Sequence, residues 1–245
     1  MMKQGLFTIE TNKPLTDNVY LMKLRGDVSD ITASGQFINI KLDGLYLRRP
    51  ISVCDRDDDS VTIIYKVVGK GTEQMSAMQS GVLDVLTGLG NGYDTTKSGD
   101  RPLLVGGGVG VPPLYMLAKQ LIAEGKEVSV ILGFNTASEV FYKDEFEAIG
   151  AKVYVTTVDG SLGIKGFVTD ALADIDYTYV YTCGPEPMLK ALYRSINTSG
   201  QFSFEERMGC GFGACMGCSC KTITGYKRIC KDGPVLEKEE ILWEK

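Results

Sequence analysis

The sequence predicts a multi-domain β plus α/β protein: an N-terminal antiparallel β-barrel over residues 1–99, a parallel α/β domain over 100–200 and a small C-terminal cysteine lobe over 201–245. Three observations predict it. The first hundred residues form short alternating β-type runs, the next hundred alternate apolar strands with helical periodicity, and five of the seven cysteines fall between positions 210 and 230.

In the first region the runs cover 6–11, 19–24, 36–42, 51–54, 61–68 and 82–87, rich in β-branched and aromatic residues and separated by turn clusters such as Asp43-Gly44. About six short antiparallel strands at this spacing favour a closed barrel. The polar, glycine-rich stretch 90–100 marks the domain boundary. From Pro102 the apolar runs 103–105, 128–132, 153–157 and 179–183 are expected as strands, with helices over 112–124, 138–149, 166–173 and 186–198. Continuous apolar strands joined by helical crossovers fit a parallel sheet buried on both faces. A short run at 202–206 leads into the cysteines.

At 44% hydrophobic content the chain can bury a proper core. No apolar stretch of membrane-spanning length and no secretory leader is evident, so the cytoplasm is the expected compartment. Seven cysteines, an odd number clustered at one end, fit a reducing compartment and a metal site better than a disulfide framework. A formal charge of −5 gives no electrostatic reason to expect a nucleic-acid partner. Lys221, Lys227, Arg228 and Lys231 form a local basic patch that reads either as a solvated face or as a docking surface. Histidine is absent, which excludes a Ser-His-Asp triad and a Rieske centre and points to chemistry carried by a cofactor.

Cys210, Cys215 and Cys218 follow the C-x4-C-x2-C spacing of plant-type [2Fe-2S] centres, and Cys230 supplies a fourth thiolate. Glycines at 209, 211, 213 and 217 let the loop curl its amides toward sulfur. Zinc is an alternative, since four thiolates also close a tetrahedral site, although three cysteines within nine residues depart from the usual paired knuckles. Disulfides are a third reading. Cys220, two residues past Cys218, could replace one ligand but reads as a neighbouring free thiol.

Gly106, Gly107, Gly108 and Gly110 follow the first strand of the α/β domain and precede Pro112-Pro113, a helix start able to hold a pyrophosphate. The loop departs from G-x-G-x-x-G because the third position falls on Val111, so a plain tight turn is the competing reading. Cys183-Gly184-Pro185 ends the last apolar strand, at the sheet edge where open α/β folds bind ligands; in isolation Cys183 also reads as a small core residue. Asp159 lies in a turn at the same edge. In the barrel, Arg49-Pro50-Ile51-Ser52 and the Gly71-Thr72 turn beyond Ile64-Tyr65-Lys66 can serve a phosphorylated ligand, with a surface ion pair and a helix cap as the alternatives.

In this order, Arg49-Pro50-Ile51-Ser52, Gly71-Thr72, the glycine loop and Cys183-Gly184-Pro185-Glu186-Pro187-Met188 resemble the ferredoxin-NADP reductase superfamily. With the four cysteines behind that module, the whole chain resembles the electron-transfer subunits of the heteromeric, NAD-dependent dihydroorotate dehydrogenases. The resemblance implies FAD bound by Arg49, Pro50, Ile51, Ser52, Ile64, Tyr65, Lys66, Gly71 and Thr72, and a [2Fe-2S] cluster on Cys210, Cys215, Cys218 and Cys230. It implies NAD as co-substrate against Gly106, Gly107, Gly108, Gly110, Asp159, Cys183, Gly184 and Pro185, with Cys183 near the nicotinamide and no side chain acting as acid or base.

It further implies a separate FMN-containing catalytic subunit that oxidises dihydroorotate in pyrimidine biosynthesis, in a heterotetramer of two of each chain, its electrons passing through the cluster and FAD to NAD+. Related sequences often carry an arginine where this chain has Gly133-Phe134-Asn135, which favours NAD over NADP. The same module serving another partner, as in a ferredoxin:NADP oxidoreductase or a sulfur-reducing hydrogenase, is the nearer alternative. A zinc-stabilised binding protein is the remoter one.

Overall fold

Alternation of inward apolar and outward polar residues closes the first sheet on itself. In the computed structural model, which describes residues 2–243, β1 (Lys3–Pro14), β2 (Val19–Arg25), β3 (Phe37–Ile40), β4 (Arg49–Arg56), β5 (Ser60–Lys66) and β6 (Val82–Leu89) form a closed barrel in the order β1-β2-β5-β4-β3-β6. Phe7, Met22, Leu24, Ile38, Val53 and Ile63 fill its interior. Helix α1 (Lys70–Ser76) follows β5 and adds Met75 to that core.

The second sheet has seven strands. Its order is β10 (Ile164–Lys165), β9 (Lys152–Thr157), β8 (Ser129–Phe134), β7 (Pro102–Gly107), β11 (Tyr179–Cys183), β12 (Gly200–Ser203) and β15 (Val235–Glu237). All neighbours run parallel except β15, which pairs antiparallel with β12. The cysteine region therefore supplies the last strand of the nucleotide-type sheet, while its own hairpin, β13 (Ser219–Thr222) and β14 (Gly225–Arg228), stands beside it.

Helices α2 (Pro113–Ala123) and α3 (Lys143–Ala148) share a core with one set of strand residues and α4 (Glu186–Ser195) with the other. Three expected helices depart from what the periodicity suggests, α4 by ending at Ser195, where Ile196 turns extended, rather than at 198. Tyr142, in the left-handed region at φ 65°, confines helical structure within 138–149 to α3, preceded by a 3₁₀ turn at Ala137–Glu139. The expected helix over 166–173 is a 3₁₀ segment, Val168–Asp174, whose entry is capped by the Asp170 carboxylate accepting from the Phe167 N–H at 2.7 Å.

Both cores cross the expected domain boundaries. Barrel residues Val19, Cys54 and Ile64 pack with Leu114, Leu117 and Phe146 of the α/β domain. On the other face, barrel residues Phe37, Leu86 and Leu89 pack with Cys218, Ile229 and Cys230. The polar stretch 90–100 is equally tied down. Tyr93 is buried and donates to the Thr182 carbonyl at 3.1 Å, while the Asn91 side chain bonds both the carbonyl (2.8 Å) and the N–H (3.1 Å) of Val235.

Candidate redox and nucleotide site

After β7 the chain builds β8, β9 and β10 to one side, then crosses back to lay β11 on the other. The carboxyl ends of β7 and β11 thus form the topological switch point at which open α/β sheets bind ligands. A cleft of about 610 Å³ opens there. Gly107, Gly108 and Gly110 line one side of it and Gly184, by position, flanks Pro185, Pro187 and Met188 on the other. A Cβ on Gly110 would lie 2.3 Å from the Cys183 carbonyl oxygen, so only glycine allows the two strand ends to approach this closely. Gly106 is buried behind the loop rather than in the cleft wall, and it contributes packing against Val111.

Several cleft residues lay beyond the sequence reading. Glu139 accepts from the backbone N–H of Asn135 at 3.1 Å and from its side-chain amide at 2.8 Å, placing a carboxylate just past β8. An acidic residue after the second strand is the usual partner of a ribose 2′-hydroxyl, and the nine residues between Ser129 and Glu139 carry no fixed motif that reveals it. Phe167 lines the same cleft with 65% of its surface exposed, a ring suited to stacking. Thr156 is fully buried and its hydroxyl has no hydrogen-bond partner among the described residues, though it borders the cleft. A buried orphan hydroxyl beside a cavity is what a site awaiting a polar ligand presents.

Asp159 is exposed and committed locally: its Oδ1 accepts from the N–H and the hydroxyl of Ser161 at 2.9 and 2.6 Å, which holds its carboxyl below the usual range. The cleft is lined by neighbouring Val158 instead. Cys183 is only 2% exposed, and burial pushes its thiol well up, so its contribution at the cleft is the backbone that leads into Gly184.

On the barrel side, Arg49, Pro50, Ile51 and Ser52 are half-buried on β4, and Lys66 reaches the cleft from β5. Arg49 lies across Gly71: a Cβ there would sit 2.1 Å from its Nε. Among the described residues its guanidinium bonds the carbonyls of Leu47 and Arg48 rather than a carboxylate, leaving its charge for an anion. Neighbouring Arg48, by contrast, is paired with Asp84 at 2.9 Å. The Thr72 hydroxyl is used as a cap, accepting from the Val68 N–H at 2.9 Å and donating to the Gly69 carbonyl at 3.0 Å. The Tyr65 ring is buried, its hydroxyl donating to Asn12 Oδ1 at 2.9 Å, so only its backbone faces outward. Ile64 belongs to the core shared with the α/β domain.

Backbone amides are aimed at the sulfurs of Cys210, Cys215 and Cys218. Ala214 and Cys215 donate backbone N–H groups to Cys210 Sγ at 3.2 and 3.4 Å, Gly217 donates to Cys215 Sγ at 3.5 Å, and Cys230 to Cys218 Sγ at 3.4 Å. Burial opposes ionisation of Cys210, but the N–H groups of Cys215, Phe212 and Ala214 outweigh it and bring the thiol to about 6. Cys230, buried and next to Cys218, is pushed up to about 12 without a metal. Among the described residues no three metal-ligating side chains close around a single ion. Amide donors directed at sulfur are what the thiolates of an iron–sulfur cluster accept, and the C-x4-C-x2-C spacing fits a two-iron centre.

Two of the four basic residues beside them are paired: Lys227 with Glu240, and Arg228 with Asp232 at 2.9 Å. No helix among the described residues is long and apolar enough to cross a membrane.

Comparison with known proteins agrees with this geometry. Residues 104–194 match the oxidoreductase NAD-binding domain, and residues 205–242 match the iron-sulfur cluster binding domain of dihydroorotate dehydrogenase B. The NADH-dependent reduced ferredoxin-NADP oxidoreductase structure superposes with a TM-score of 0.88 at 32% identity, covering 98% of this chain and 90% of that one. A ferredoxin NADP+ reductase from Neisseria gonorrhoeae, with bound FAD and NADP, shares the fold at a TM-score of 0.70 and 17% identity, covering 79% and 90%.

Fold and site together define a ferredoxin-reductase-type oxidoreductase extended by an iron–sulfur domain. Relatives from Geobacillus sp. (strain WCH70), 46% identical over 99% of this chain and 100% of that protein, and from Fusobacterium nucleatum, 47% identical over 93% and 94%, are both dihydroorotate dehydrogenase B (NAD(+)), electron transfer subunits. The chain belongs to that family.

The amide donors and the cysteine spacing give a direct expectation. Cys218→Ser should lose most bound iron and the visible absorption of the cluster, whereas Cys220→Ser, outside the C-x4-C-x2-C spacing, should retain them; iron and sulfide content of the anaerobically purified proteins decides.

Proposed function

We propose that this chain carries electrons between a catalytic partner subunit and NAD+, with FAD seated between the barrel and the cleft and a [2Fe-2S] cluster on Cys210, Cys215, Cys218 and Cys230. The observations that carry this reading are the Arg49 guanidinium, lying across Gly71 and bonded to carbonyls rather than a carboxylate, the cleft at the switch point of the parallel sheet, and Cys218 and Cys230 sharing a core with barrel and α/β residues. The regions 1–99, 100–200 and 201–245 serve these three roles. When bound, FAD exchanges two-electron equivalents with nicotinamide and single electrons with an iron–sulfur cluster.

The chain's own residues bind and orient. Arg49 would neutralise the FAD pyrophosphate as a planar fork, and Pro50, Ile51 and Ser52 with the backbone of Ile64, Tyr65 and Lys66 would hold the flavin. Gly71 and Thr72 shape the turn beneath Arg49. Gly107, Gly108 and Gly110 admit the dinucleotide phosphates, and Gly184 and Pro185 leave a flat surface for the nicotinamide. Glu139 receives the adenosine ribose, and its charge opposes a 2′-phosphate, in keeping with NAD.

The partner is an FMN-containing dihydroorotate dehydrogenase subunit, two of each chain assembling as a heterotetramer in the cytoplasm for pyrimidine synthesis. Family membership supports that partner. The likeness to the NADH-dependent ferredoxin-NADP oxidoreductase supports the second reading, in which the same module serves a different partner.

Two experiments test the proposal. Complex purified anaerobically with the partner should reduce NAD+ with dihydroorotate, and Cys215→Ser should abolish that reduction while the partner still reduces artificial dyes; loss of neither activity would sink the relay, and a complex inert to dihydroorotate would favour the second reading. Glu139→Gln should lower the NADH-over-NADPH preference in kcat/KM for flavin reduction by about tenfold, equivalent to about 1.4 kcal/mol; an unchanged ratio would remove Glu139 from the ribose site.

A further inference from the structure

Asparagine 39 sits where the barrel meets the cysteine loop. Inward-facing Ile38 and Ile40 of β3 belong to the barrel core, so alternation turns Phe37 and Asn39 outward. Phe37 packs in the same cluster as Cys218 and Cys230. Asn39 is 1% exposed, and its Nδ2 donates to the backbone carbonyl of Cys210 at 3.3 Å. The orientation of the amide is fixed by its partner, because a carbonyl can only accept.

Two further observations single this residue out. Gly211, at φ +81°, lies directly over the amide, and a Cβ there would be 2.4 Å from Asn39 Nδ2. The loop therefore rests on Asn39 by contact as well as by hydrogen bond. Asn39 Oδ1, moreover, is buried without a partner among the described residues. An apolar side chain of the same size would fill the space without leaving an acceptor unpaired, so nothing in the packing calls for asparagine here. Its backbone is also held: Asn39 pairs with Pro50 of β4, and its carbonyl accepts from Arg48 at 3.3 Å. One residue thus joins the strand beside Arg49 to the backbone of the first cysteine in the loop.

We propose that Asn39 is a positioning residue for electron transfer: by clamping the Cys210 carbonyl and seating Gly211, it sets the separation and orientation of the thiol loop relative to the β4 groove. This rests on the relay reading above. Small displacements of reacting partners change rates steeply, so the residue matters to transfer out of proportion to its one hydrogen bond.

The test uses the full chain loaded with FAD and cluster, and the variant Asn39→Asp, which keeps the shape but faces the Cys210 carbonyl with an acceptor. Three quantities are read: flavin bleaching by NADH, subsequent reduction of the cluster followed at its own absorption, and the electron paramagnetic resonance spectrum of the dithionite-reduced cluster. Asn39→Asp should retain iron content and NADH-driven bleaching, slow cluster reduction by about tenfold or more, and alter the resonance spectrum. If Asp does not fold, Asn39→Ala is read in its place with the same expectation. Wild-type cluster reduction and an unchanged spectrum in a loaded variant would overturn the assignment, as would loss of both cofactors in both variants, which would make the residue one that serves folding alone. A wild-type chain whose flavin bleaches but whose cluster never reduces would instead refute the relay reading itself.

Discussion

Everything in this protein depends on apolar packing that ignores the boundaries between its parts. Cys54 and Ile64 alternate with the barrel's inward residues and therefore point out of it, into the core around Leu114 and Leu117. Phe37 does the same on the other side, toward Cys218 and Cys230. Two-domain proteins with small polar interfaces move by default; cores this continuous oppose such movement. Lys119, paired with Asp55 at 2.7 Å across the same junction, adds an ion pair whose partial exposure limits its worth to about 1 kcal/mol or less.

Against that fixed frame, the close approaches make chemical sense. Arg49 across Gly71, Gly110 against Cys183 and Gly211 over Asn39 are three places where a missing side chain lets functional groups approach to contact distance. The cysteine loop uses its glycines and turns to aim amides at sulfur, so that Cys210 is already disposed to ionise while Cys230, behind it, is not. The tether from Asn91 to Val235 then fixes the return of the chain, and β15 joins the large sheet.

Much of this was legible in the sequence because period and spacing are local signals. The six barrel runs, the strands at β7, β8, β9 and β11, and the cysteine spacing all follow from residues close together in the chain. The departures are tertiary or stereochemical. Nothing local announces that β15 completes a sheet begun 130 residues earlier, or that Tyr142 adopts a left-handed conformation and cuts a helix short. Of the residues expected to touch ligands, Thr72, Asp159 and Tyr65 spend their polar groups on a cap, a turn and a core hydrogen bond. Glu139, Phe167 and Thr156 escaped notice because their roles arise only when a fold brings three loops around one cleft.

The most direct test of the account is anaerobic stopped-flow reduction of the isolated, fully loaded chain by NADH, with flavin and cluster followed at separate wavelengths. A rigid assembly of the three sites predicts that flavin bleaches first and the cluster follows at a rate independent of protein concentration. A cluster that stays oxidised, or whose reduction scales with protein concentration, would contradict it.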